Sequence, residues 1–328
     1  MPASAHLPRL VALAAFAAVP LIETNSYWLH ILSLALIASI LALGMQLLIG
    51  MAGLLSMGQG AFYGIGAYAA GLLGAAVGLP FVLAVTAGGV AAALSSLVLV
   101  PIVRLKGASL AVATLGFNII VHAVILNEEW LTGGSMGLMD IPGPGMLDPP
   151  VTDDRVYYWL CLAVLALVYL AIDRIAKSRF GRALIATGQD EEAARASGIA
   201  VSRCKSKCFL VAAFTAGIAG GLFAYHARYL SPNDFTFAKS IDILTMVVIG
   251  GLGSLPGAVF GAFAVVLTPE LLRSSGELRM IIFGAAVIVM SGTGNLGVVG
   301  LAARAAGMAG DRIGSLRGRR AAPGEARP

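Results

Sequence analysis

Apolar residues are grouped along this chain into long blocks, separated by short segments of charge, Pro and Gly. Leu29 to Gly50, Pro80 to Val103 and Met280 to Ala303 contain no Asp, Glu, Lys or Arg, and each reaches the roughly 20 residues that a helix needs to cross a bilayer core. Taken block by block, the pattern predicts helices near Leu10 to Ile22, Leu29 to Ile49, Gly58 to Leu79, Pro80 to Val103 and Ser109 to Leu126. It then predicts Val156 to Ile172, Phe209 to Tyr225, an apolar region from Ile241 to Leu272 that is longer than one crossing requires, and Met280 to Ala303. The first block, after Arg9, fits an uncleaved helix and also a cleaved leader. Either way the chain from Glu23 to His30 lies on the outer side.

The charges between the blocks set an orientation. The segment 173–207 holds eight Lys and Arg against four acids, whereas 127–155 holds one Arg against six acids. Basic loops stay in the cytosol, so 173–207 is predicted to be cytosolic and 127–155 external. With Met1 inside, Arg104 and Lys106 also fall inside. Were Ile241 to Leu272 a single helix, the six arginines from Arg304 to Arg327 would be stranded outside. A break at Gly250-Gly251-Leu252-Gly253-Ser254-Leu255-Pro256 adds a crossing and returns them to the cytosol. The expected architecture is an all-α polytopic transmembrane bundle of about ten helices with both ends inside. A membrane domain spans 1–303, and a basic tail lacking apolar periodicity spans 304–328.

Composition agrees: 58% of residues are hydrophobic and 12% are charged, about half the charged share of a soluble domain. Small residues four apart, as at Gly60 and Gly64, Gly217 and Gly221, and Gly253, Gly257 and Gly261, suit close helix packing in lipid. The glycine-rich stretches Gly58 to Gly66 and Gly250 to Gly261 occupy comparable places in the two halves, which points to inverted repeats around a pathway or to packing alone. Three cysteines, Cys161, Cys204 and Cys208, indicate no disulfide framework. Cys204 and Cys208 have helical spacing but no His or carboxylate partner for a metal.

Chemistry is sparse. No Gly-Lys pair occurs anywhere, so the phosphate loop of an ATPase is absent. Ionisable groups within the blocks are few, which disfavours ion-coupled transport. Asp242 is expected at a helix start, where a carboxylate suits the dipole. His122 falls well inside a block. Thr114, Asn118 and His122 recur every fourth residue, a strip able either to line a solute pathway or to bond neighbouring helices. Paired carboxylates and nucleophile-base pairs are lacking, so an enzyme is not indicated.

The basic loop is more specific. Asp190 to Gly198 reads as a short helix with acids at its start, Glu191 and Arg195 paired at i, i+4, and Gly198 as its left-handed stop. With little to bury against in its own chain, it is expected to be gripped by a soluble partner or else simply to be a solvated amphipathic loop.

Glu192-Ala193-Ala194 followed by Gly198 resembles the E-A-A-x-x-x-G coupling motif of bacterial ATP-binding cassette importer permeases. Ser178-Arg179-Phe180-Gly181-Arg182-Ala183-Leu184 leading into it is similar to the loop of branched-chain amino acid permeases of the LivM type. So are Gly53 to Phe62, Thr114-Leu115-Gly116-Phe117 with Leu131-Thr132-Gly133-Gly134, and Val247 to Gly257 ahead of Pro269-Glu270-Leu271-Leu272. Met290 to Asn295 departs from the family's usual Arg-Pro-Arg-Gly exit.

The resemblance implies a type II-like importer fold in the bacterial inner membrane, with a second permease of the LivH type, two cytosolic ATPases carrying the ATP and Mg, and a periplasmic amino-acid-binding protein. No cofactor in this chain and no nucleic acid is expected. Arg182, Asp190, Glu191, Glu192, Ala193, Ala194 and Gly198 would form the ATPase contact, with Ala193 and Ala194 allowing close approach. Thr114, Asn118 and His122 would line the pathway. The outer turn at Thr132, Gly133 and Gly134 would help to close the external mouth. Urea, short amides and other small organic solutes are alternative cargoes, and an ion-coupled carrier is an alternative class.

Overall fold

The computed structural model of the chain describes residues 25–105, 107–143 and 153–272, together with Pro20 and Gly284. Apart from Pro20 and Gly284, the expected helices Leu10 to Ile22 and Met280 to Ala303 lie outside these residues, as do Lys106 and the tail 304–328. Among the described residues there is no strand, only an isolated antiparallel bridge between Leu138 and Leu230.

The blocks become α1 (Ser26–Met45), continued by a π-helical segment Gln46–Met51, α2 (Gln59–Val77), α3 (Phe81–Ser95), α4 (Ala108–Asn127), a single turn α5 (Glu129–Thr132) and α6 (Asp154–Lys177). Then follow α7 (Arg179–Gln189), α8 (Glu191–Ala196), α9 (Val201–Ala227), α10 (Phe237–Gly250) and α11 (Leu255–Leu271). Among the described residues six helices are long and apolar enough to cross a membrane: α1 with its π segment, α2, α3 with its 3-10 extension to Leu99, α4, α6 and α9. They match the expected crossings from Leu29 to Tyr225, while α10 and α11, with 14 and 17 residues, divide the Ile241 to Leu272 region into two helices shorter than these spans.

α1 is the central post. Its apolar window is 89% buried, against 28% for α4 and for α6, and it packs on α6, α9, α10 and α11. A helix buried on all sides needs no polar face. α2, α3 and α9 meet backbone to backbone, and a Cβ on Gly217 would lie 2.7 Å from the Gly88 carbonyl and 2.9 Å from Gly89 Cα. Close approach of this kind is how helices gain dispersion contact where lipid is as apolar as the side chains.

The break in the Ile241 to Leu272 region falls where expected. Gly251 and Gly253 take φ of 101° and 85°, values open to glycine but strained for other residues. The Ser254 side chain then caps α11 by accepting from Gly257 N at 3.1 Å, with Pro256 in the first turn. Gly250 lies against Gly257 and Met246 against Gly261, the pairing order of antiparallel helices. The chain therefore reverses direction there.

Several boundaries differ from expectation. α9 begins at Val201 rather than Phe209, because Val201, Cys204, Lys205 and Cys208 bury one helical face while Arg203 and Lys207 stay outside. The basic loop 173–207 is consequently almost wholly helical. α10 starts at Phe237, so Asp242 lies beyond its first turn and not at the dipole's positive end. Where an ordered turn rather than a helix is expected, Thr132 ends a helical turn, its hydroxyl donating to the Ile125 or Glu128 carbonyl, and Gly133 and Gly134 follow with positive φ.

Candidate functional site

The basic region folds into a helical hairpin against the end of α1. α7 opens at Ser178, whose hydroxyl accepts from Gly181 N at 3.2 Å, and buries Gly181, Leu184 and Thr187. At its far end Gly188 sits on the segment after the π turn, where an added Cβ would meet the Met51 carbonyl at 2.6 Å. The hairpin is thus seated on the irregular backbone between α1 and α2, and Gly53 there has φ of 65°.

α8 carries every local signal the sequence predicts. Asp190 Oδ1 accepts from the amides of Glu192 at 2.8 Å and Ala193 at 3.1 Å, filling donors that a helix start leaves open. At the other end Gly198, with φ of 81°, donates to the Arg195 carbonyl and Ile199 to the Ala194 carbonyl, each at 3.0 Å. That pair of bonds is a Schellman stop. Arg195 lies 3.5 Å from Glu191 at the predicted i, i+4 spacing.

Two features were not legible in the sequence. Lys205 of α9, whose side chain is 2% exposed, makes an ion pair with Glu191, so α8 is anchored inside its own chain. Ala194 is buried beneath α8 while Glu192, Ala193, Arg195 and Ala196 are exposed. The small side chain of Ala194 thus serves internal packing, and Ala193 is the alanine open to an approaching surface. Arg182 lies apart from α8, its guanidinium donating to the Lys177 carbonyl at 3.1 Å and closing the end of α6. A cleft of about 300 Å³ between Ala52, Gly53, Gly188 and Asp190 to Glu192 lies beside the hairpin.

The strip on α4 lies at the same helix breaks. Thr114 Oγ1 accepts from Met57 N at 2.9 Å. Asn118 Nδ2 lies within donor range of Ser240 Oγ at 2.7 Å and the Met57 carbonyl at 3.2 Å. Ser240 Oγ also accepts from Gly60 N at 2.9 Å, so α2, α4 and α10 are joined at one point. Asn118 Oδ1 and His122 Nε2 are buried without a partner among the described residues. On the other side of α10 is a cavity of about 400 Å³, lined by α1, Tyr63, Phe223, Asp234, Lys239 and Asp242. The sequence signal for it is the cluster Asp234, Lys239 and Asp242, of which the sequence reading gives a role, at a helix start, to Asp242 alone. No His, Cys, Asp and Glu cluster suited to a metal occurs among the described residues.

A bundle of apolar helices interrupted at buried polar junctions, with a surface helical hairpin seated on one interruption, defines the class: a polytopic α-helical membrane protein. The profile of the family described as branched-chain amino acid transport system / permease component matches residues 27–291, and the chain belongs to that family. It is 35% identical over 308 residues, covering 86% of this chain and 72% of the relative, to the high-affinity branched-chain amino acid transport system permease protein LivM of Escherichia coli. To the LivH permease of Salmonella typhimurium it is 27% identical over 170 residues, 51% of each chain. The xylose transport system permease XylH of Escherichia coli is 31% identical over 157 residues, 46% of this chain and 35% of that protein. No solved structure matches it.

Proposed function

We propose that this chain is one of two permease subunits of an inner-membrane importer that carries branched-chain or related hydrophobic amino acids into the cell. In this reading its partner is a LivH-like permease, two cytosolic ATPases bind the ATP and Mg, and a periplasmic binding protein delivers the cargo. The observation that carries it is the hairpin: a capped helix with Glu192, Ala193 and Arg195 facing outward, seated through Gly188 on the backbone between two membrane helices. Displacing such a helix moves what it sits on. ATP-driven closure of the ATPases would push α8, and α7 would transmit the shift to the junction of α1 and α2.

Both ends of the chain are cytosolic in this reading. Thr114 and Asn118 tie that junction to α10, and the unpartnered Asn118 Oδ1 and His122 Nε2 offer the polar strip a passing solute would meet. The outer turn at Thr132 to Gly134 borders the external mouth.

Glu192→Arg reverses a charge on the exposed face and touches no internal bond of its side chain among those described. Membrane insertion is expected to stay intact while substrate-stimulated ATPase activity of the assembled complex is lost. Normal stimulation in this variant would remove α8 from the role of lever. The similarity to XylH favours a second reading, a permease for another small neutral solute such as a sugar, urea or a short amide. The ligand retained by the cognate binding protein separates the two.

A further inference from the structure

The cavity between α1 and α10 contains charges that the helix itself does not call for. Lys239 is in the first turn of α10, and no acid is in that turn. The start of a helix carries partial positive charge, so a cation there is disfavoured. Asp242, one turn further on, is also beyond the reach of the dipole's stabilisation. Among the described residues Lys239 makes no ion pair, and its ammonium instead lies 5.8 Å from the centroid of the Tyr63 ring. Its neighbour Ser240 is held by Asn118 and by Gly60 N, which fixes the register of α10 and keeps Lys239 and Asp242 on the cavity. Local choices that oppose local stability are expected where function requires them, above all for ionisable groups within apolar helices.

The remaining walls are of another kind. Leu34, Ile37 and Leu41, one to two turns apart on α1, make an aliphatic face, and Tyr63 and Phe223 form a floor that Phe235 backs from behind, the three rings packing at 5.3–6.2 Å. Asp234 uses one carboxylate oxygen to accept from Ser231 N at 3.2 Å and lines the cavity as well. The volume of about 400 Å³ lies within the range of small-molecule sites, roughly 300–1,000 Å³.

A cation, two carboxylates and an aliphatic wall around one space match a molecule with a carboxylate, an ammonium and an apolar branch. Lys239 and Asp242 already act on one another across this space, and a zwitterion offers each an opposite charge, whereas a sugar or urea brings none. We infer that this cavity is a stopping place for a zwitterionic α-amino acid with an aliphatic side chain. Lys239 receives the carboxylate, Asp234 and Asp242 the ammonium, and the α1 face the side chain. The inference rests on the importer reading above and names the cargo's resting point.

The test uses the assembled complex in proteoliposomes. Lys239→Gln is expected to raise the leucine concentration for half-maximal uptake roughly tenfold, the loss of one charge-assisted contact, with the maximal rate much less changed and with Lys239→Arg restoring it. In a second measurement, Ala238→Cys at the cavity lip is modified by a small methanethiosulfonate and read on this chain by mass. The native cysteines Cys161, Cys204 and Cys208 are buried. Leucine is expected to slow modification and xylose is not. Unaltered half-maximal concentration in Lys239→Gln together with no protection by leucine overturns the site while wild-type leucine uptake leaves the importer reading standing. A wild-type complex that takes up no branched-chain amino acid overturns both.

Discussion

Glu191 shows how one side chain can be half legible. Its pairing with Arg195 follows from helical spacing, and so do the Asp190 cap and the Gly198 stop, since all three depend on neighbours within one or two turns. Lys205 approaches from the next helix, 14 residues away, and only the fold brings it there. Removing one partner of a buried pair strands the other charge, typically at about 3–5 kcal/mol, while replacing both by apolar groups of similar size is near neutral. Lys205→Met alone is therefore expected to lower stability by up to about 3 kcal/mol, because Glu191 keeps Arg195. The double variant Lys205→Met, Glu191→Leu is expected to recover most of that loss. Thermal unfolding in detergent of the four members of the cycle measures it. Asp190→Ala removes a cap worth about 1 kcal/mol and is expected to raise amide exchange over α8 with little effect on the long helices.

At the scale of elements, block length and charge located nearly every described crossing, because a membrane span leaves few alternatives. The reversal at Gly251 to Ser254 was equally readable, since glycines, a capping Ser and a Pro act locally. The start of α9 was not. Arg203, Lys205 and Lys207 masked a buried stripe that becomes visible only when α8 packs beside it. The cavity on α10 was hidden for a related reason: its walls come from five separated segments, and no local pattern joins them. Glycine packing gives a discriminating pair of variants. Gly217→Val, where a Cβ already meets backbone, is expected to cost about 1–3 kcal/mol or more and to lower the yield of folded protein. Gly116→Ala on α4 meets nothing within 4 Å. It is expected to be neutral or to stabilise by up to about 1 kcal/mol. Thermal midpoints of the two purified variants decide whether α2, α3 and α9 are the close-packed unit.

For the whole molecule, the two tied junctions give the hairpin a mechanical connection to the interior. Gly188 bears on the link between α1 and α2, Gln46 Nε2 donates to the Gly251 carbonyl at 3.3 Å, and Ser240 joins α2, α4 and α10. In the proposed mechanism these contacts would carry motion applied at α8 to both helix breaks. The charge asymmetry of 173–207 against 127–155 predicts that α8 faces the cytosol and the turn near Met136 the outside. A membrane-impermeant thiol reagent is expected to modify Met136→Cys from the periplasm and Ala193→Cys only after the inner membrane is opened. Reversed labelling would contradict the topology.

In the importer reading proposed above, this chain moves its cargo only when driven from outside itself. Uptake of radiolabelled leucine into proteoliposomes, measured for the complete complex and for this chain alone with and without MgATP, tests it most directly. ATP-dependent accumulation by the complex, with none by the chain alone, is the expected result. Leucine movement through the chain alone, at a rate indifferent to nucleotide and to the ATPases, would contradict it.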